Sequence, residues 1–144
     1  LSEQVRKSIK TTMRGPDPTD DQVAAIAAYL GTLRAPPSLA ASRGTIDRSL
    51  VAFGKSVFQR LNCVECHRPP YYTTPETYTV DIAAGQEQQD FNPPSLLGVS
   101  QRRHLFHDNR ASDLKSVLVG HKHGLEGPLI DSDLKALLAF LQSL

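Results

Sequence analysis

Apolar residues recur at spacings of three and four in several separate stretches of the chain. The first is Val23, Ile26, Ala27 and Leu30, preceded by Thr19-Asp20-Asp21-Gln22. A threonine at the cap and a glutamine three residues on make a capping box, so this stretch predicts a helix that ends before Pro36-Pro37. The second is Leu50, Phe53, Val57, Phe58 and Leu61, one apolar stripe that predicts a helix from about Asp47 to Leu61. Near the C-terminus, Leu134, Leu137, Leu138, Leu141 and Leu144 predict a last helix opening at Asp131. A shorter helix is predicted after a cap at Ser112 or Asp113, with Leu114, Val117 and Leu118 on one face. Gly120-His121-Lys122-His123-Gly124 ends or interrupts it. No period-two pattern competes, so the chain reads as all-α.

Between Pro69-Pro70 and Pro93-Pro94 no helical period is visible, and Tyr, Thr, Gly and Gln dominate. A loop of that length in a compact domain is usually functional or draped over a ligand, so an ordered loop is expected. The chain also echoes itself. Residues 20–33 read DDQVAAIAAYLGTL and residues 131–144 read DSDLKALLAFLQSL. Allowing a shorter connection in the first copy, Lys7-Ser8-Ile9 falls on Lys115-Ser116-Val117, and Met13 falls opposite His121. Chance likeness of two amphipathic helices is the competing explanation. The sharper expectation is that residues 1–36 are the tail helices of a preceding domain, or an N-terminal extension, and that residues 40–144 are one complete domain.

Composition narrows the class. A chain of 144 residues is about one domain. Sixteen Lys and Arg against fifteen Asp and Glu leave a formal charge of +1, which argues against a dedicated nucleic-acid binder. Apolar runs fall far short of the ~20 residues of a membrane helix, so no membrane span is expected. The chain opens at Leu1 with no basic-then-apolar leader, which suggests a processed or excised segment. With 40% hydrophobic residues and no tryptophan the core is thin, and a bound apolar cofactor would thicken it.

Both cysteines lie within Asn62-Cys63-Val64-Glu65-Cys66-His67, the C-x-x-C-H pattern of covalent haem attachment. Two thiols a turn apart can add to the two vinyl groups of one haem, and the adjacent imidazole is aimed at the iron. A redox dithiol and half a zinc site are the competing readings. The first normally sits in a βαβ setting, and the second wants more Cys or His at paired spacing. The haem reading implies a periplasmic or otherwise extracytoplasmic location.

From Gly54 onward the chain resembles the C-terminal haem domain of the di-haem cytochrome c peroxidase family, which includes MauG-type enzymes. The likeness rests on Gly54-Lys55-Ser56-Val57-Phe58, the haem motif, Phe91-Asn92-Pro93-Pro94-Ser95-Leu96-Leu97-Gly98-Val99, Leu105-Phe106-His107-Asp108, Leu114-Lys115-Ser116-Val117-Leu118 and residues 133–141. The chain departs from the family at Leu97, where Arg is usual, at His104-Leu105, where Pro-Tyr is common, and at Asn109, where Gly is common. The resemblance implies a small, all-α, cytochrome c-like domain with long loops around one covalent haem c. Cys63, Cys66 and His67 hold that haem, with His67 as an axial iron ligand. The family's opposite ligand, Met or Tyr, follows the Leu-Lys-x-Val-like helix, and counting from Leu114 that position is His121. His123 is the nearest rival, and an absent ligand is the third option. His107 matches a family histidine beside the haem, expected at the haem edge or a propionate. Phe58, Leu61, Leu96, Val99, Phe106, Leu118 and Leu138 are expected to line the ring. Packing is the favoured role of Tyr71, Tyr72 and Tyr78.

Two functions follow as expectations. One is electron transfer through a six-coordinate, bis-histidine haem, with a redox partner protein or another haem domain as partner. Met13 would face a haem of another segment in a larger assembly. The other is a peroxidase haem domain, for which Glu126 and Arg110 are the candidate charged groups. The residues point to an electron-transfer domain ahead of an enzyme, and an enzymatic chain would be a cytochrome c peroxidase-like oxidoreductase.

Overall fold

A computed structural model describes residues 1–34, 37–79 and 90–144. The chain forms two compact units, Leu1–Ala35 and Pro36–Leu144. In the first, helix α1 (Ser2–Lys7) runs on into a wider, π-type turn at Ser8–Thr12. Helix α2 (Asp20–Thr32) opens on the predicted capping box: Gln22 N–H donates to Thr19 Oγ1 at 3.2 Å, and Thr19 N–H donates to Gln22 Oε1 at 2.9 Å. Arg6 clamps the connection by donating to Asp17 at 2.7 Å and to the Pro18 carbonyl at 2.6 Å. Val5 and Val23 are buried, whereas Ile26, Tyr29, Leu30 and Leu33 stay exposed.

The second unit begins with one short turn, α3 (Leu39–Ser42), capped by the Ser38 hydroxyl. Helix α4 (Arg48–Arg60) matches the predicted stripe and starts at Asp47, whose Oδ1 accepts from the N–H groups of Ser49 (3.1 Å) and Leu50 (3.0 Å). Helix α5 (Asp131–Ser143) packs along α4. Their shared core is Val57, Phe58, Ala136, Leu137, Phe140 and Leu141, joined by Val99 and Leu118. At the closest approach stands Gly54. A Cβ there would lie 1.9 Å from the Ala136 carbonyl oxygen, so only glycine permits this contact. Arg60 and Asp133 pair across the two helices.

Between α4 and α5 the chain is held by turns. Residues 63–65 and 99–101 form 3-10 turns, and Ser116–Gly120 forms a second π-type turn. Asp113 caps that segment, with Oδ1 accepting from Ser116 N–H at 2.7 Å. Among the described residues there is no extended strand, only isolated bridges at Tyr78–Phe91 and Leu105–Ala111. The architecture is the expected small all-α domain with long loops. Residues 80–89, the middle of the predicted ordered loop, lie outside the described residues, as do 35 and 36 at the predicted domain boundary. The loop's two ends are tied together: Asn92 Nδ2 donates to the carbonyls of Thr74 (2.6 Å) and Glu76 (2.9 Å), and Ser95 Oγ donates to Tyr71 O at 2.6 Å.

Candidate haem site

Helix α4 delivers the motif. Its last turn closes with Leu61 N–H donating to Val57 O at 2.9 Å, and Asn62 then takes a left-handed conformation at φ 58°. Asn62 tolerates this backbone better than most residues, and its side chain is fixed by donating to Glu65 Oε2 at 2.6 Å. The reversal starts the 3-10 turn that carries Cys63, and His67 N–H closes back on Cys63 O at 2.9 Å. Cys63, Cys66 and His67 thus share one tight loop at the end of α4.

Both cysteines are half-buried, free thiols. Burial pushes the Cys63 thiol up to about 11 and raises that of Cys66 as well. A reactive Cys-x-x-Cys dithiol has the opposite shift, toward a thiolate at neutral pH. Among the described residues no group of three His, Cys, Asp or Glu side chains gathers as a metal site, so the half-zinc reading finds no completing ligands there. Cys63 and Cys66 instead present paired neutral thiols beside an imidazole.

His67 is buried, and burial lowers its pKa, partly offset by the carbonyls of Tyr72 and Pro94. Its Nδ1 lies 3.1 Å from the Tyr72 carbonyl. A carbonyl can only accept, so Nδ1 carries the proton and Nε2 carries the lone pair. That is the orienting bond expected behind a metal-binding histidine. The Tyr72 ring meanwhile packs edge-on against Phe58 and Phe140, with centroids 6.0 and 5.9 Å away, which anchors the carbonyl to the core.

The imidazole that meets His67 is that of His123, with ring centroids 6.4 Å apart and planes inclined by 61°. Burial and the neighbouring His67 hold His123 down to about 4, so it too is neutral at ordinary pH. His121, two residues earlier, is half-buried with its ring 5.2 Å from Phe106. Phe106 also touches His123 at 5.5 Å, has a left-handed backbone at φ 67°, and carries the Arg110 guanidinium 4.2 Å above its ring. Arg110 is in turn paired with Asp108 at 2.8 Å, which holds that carboxyl below the usual range.

The remaining predicted residues are distributed as follows. Phe58 sits in the α4–α5 core, 5.2 Å from Phe140. Leu96 is half-buried against that core, and its N–H donates to Tyr72 O at 3.3 Å. His107 is exposed and stacks on Phe91 at 4.3 Å, and His104 is exposed. The contributions of the Tyr72 carbonyl and of the Phe106–Arg110 stack have no signature in the sequence. Each depends on backbone geometry that brings residues several positions apart into one place.

This donor set fits a haem c. Two neutral thiols lie one turn apart, and a neutral imidazole has its lone pair on Nε2.

The fold and the motif together define a small, all-helical, cytochrome-like haem domain. The family model described as di-haem cytochrome c peroxidase matches residues 53–139, more than half of the chain. The protein belongs to that family, whose members bind haem, typically work with other haem domains and are typically extracytoplasmic. No curated protein and no solved structure matches the chain. No helix among the described residues is long and apolar enough to cross a membrane.

Proposed function

We propose that residues 40–144 are an electron-transfer module holding one covalent haem c, closed on both faces by imidazole, within a multi-haem extracytoplasmic assembly. The observation that carries this reading is the edge-on pair of neutral imidazoles, buried His67 and half-buried His123. Bound haem supplies the one-electron couple. Cys63 and Cys66 form the two thioether links. His67 presents Nε2 because the Tyr72 carbonyl holds its Nδ1 proton. The resemblance puts the opposite ligand at His121; the geometry favours His123, with His121 braced on Phe106. The Phe106 ring lies against His123 and covers that side of the pair, and a second imidazole in place of Met favours a lower potential.

Optical and electron-paramagnetic spectra of the haem-loaded protein test this. Low-spin iron that does not bind carbon monoxide is expected, with His123→Ala turning it high-spin and His121→Ala leaving it low-spin. The reverse pattern moves the ligand to His121 and keeps the closed site. Family membership supports a second reading, a peroxidase haem domain, and Arg110 beside the histidine turn is the cation it would use. High-spin wild-type iron with ready carbon monoxide binding selects that reading.

A further inference from the structure

The echo between the two ends of the chain is far closer in backbone than in sequence. Ser8–Thr12 and Ser116–Gly120 are both five-residue π-type turns. At the end of the first, Met13 N–H donates to Ser8 O at 3.0 Å; at the end of the second, His121 N–H donates to Ser116 O at 2.9 Å. The next residue has a left-handed backbone in each case, Arg14 at φ 53° and Lys122 at φ 51°. Then Gly15 N–H donates to Ile9 O at 2.9 Å, and His123 N–H donates to Val117 O at 3.1 Å. π-type turns are rare and cluster at functional sites, and positive φ is uncommon for long side chains. Two generic amphipathic helices would not share all of these at one register.

The helices that follow are also equal in length, α2 at Asp20–Thr32 and α5 at Asp131–Ser143. Their surroundings differ. On α5, Leu137 is 1%, Phe140 3% and Leu141 6% exposed, because α4 lies on them. The matching residues of α2 are Ile26 at 38%, Tyr29 at 65% and Leu30 at 38%. Ala25 stands where Ala136 receives Gly54. The face therefore has the form of a seat for a helix like α4, the element that ends in the haem motif. Within the turn, Gly15 has no side chain where the second copy has His123, so Met13, 73% exposed, is the donor left at that end.

The family is di-haem; for the other haem of this protein we propose that Met13 is the axial thioether ligand and that α2 seats the amphipathic helix bearing that haem's Cys-x-x-Cys-His. In the second unit the motif helix precedes the closing turn and helix. The partner is accordingly a segment of the same natural polypeptide on the N-terminal side of residue 1. The inference shares with the proposed function only the haem-bearing nature of the family. It does not depend on which imidazole faces His67.

The test uses the natural polypeptide carrying this sequence, matured in a host that attaches haem c. Intact mass and haem staining are expected to give a covalent haem beyond the one at Cys63, on the same polypeptide. The oxidised protein should show the red charge-transfer band of thioether-ligated iron. Met13→Leu should abolish that band, Met13→His should abolish it while keeping the iron low-spin, and His123→Ala should leave it unchanged. A band that survives both Met13 variants, or is missing from the wild type, overturns the ligand. A second haem on a different polypeptide overturns the same-chain assignment. Haem at Cys63 alone overturns the inference and leaves the proposed function standing.

Discussion

At the scale of single residues, the site depends on backbone atoms as much as on side chains. Cys63, Cys66 and His67 are legible from spacing alone, because the chemistry demands two sulfurs a turn apart and an adjacent imidazole. The Tyr72 carbonyl that sets the His67 tautomer is not legible, since any residue has a carbonyl. Nor are the different ring contacts of His121 and His123, which flank a left-handed Lys122. Two predictions belong here. Cys63→Ser leaves a single thioether, so the reduced pyridine complex should absorb at longer wavelength than the wild type, as one vinyl group stays conjugated. Phe106→Ala removes the ring on which His121 and His123 both lean, so cyanide should bind the haem-loaded protein about tenfold more readily. An unchanged cyanide titration would mean that Phe106 does not guard the site.

Among the elements, α2, α4 and α5 were predictable because each has both a strong apolar period and a start signal. Helices α1 and α3 are too short for a period to show. The segment after Asp113 is helical, as its cap and spacing predict, but from Ser116 to Gly120 it widens to π-type geometry, which apolar spacing does not encode. Helix α4 carries the most consequence, since its end delivers the motif. Gly54→Ala puts a methyl group into the Ala136 backbone, which should cost about 3 kcal/mol or more in chemical denaturation. The cap of α4 makes stability pH-dependent. The Ser49 hydroxyl, then the Leu50 N–H, hold the Asp47 carboxyl below its usual range. A lowered folded value means the contribution is complete above the unfolded pKa and is lost as pH falls through the folded one. The melting-temperature gap between wild type and Asp47→Asn should therefore shrink as acid protonates Asp47. A gap that stays constant across the carboxylate range would dismiss the cap as its source.

For the molecule as a whole, the core lies between α4 and α5, where Leu137 and Val57 are buried completely and Phe58 and Phe140 almost so. Leu137→Ala should cost about 2–5 kcal/mol, measured by denaturant unfolding of the haem-loaded protein. The chain of 144 residues should gain the mass of one haem, since Cys63 and Cys66 are its only cysteines. The all-α class was legible throughout, because no alternating pattern opposed it. The matching of the two turns was legible only as a faint likeness of sequence, for the shared features are hydrogen bonds and dihedral angles rather than side chains. A turn that closes the same way around Met13 and around His121 is held by its main chain and not by either side chain. Exchanging the residue at that position should therefore leave the backbone path of each copy as it is.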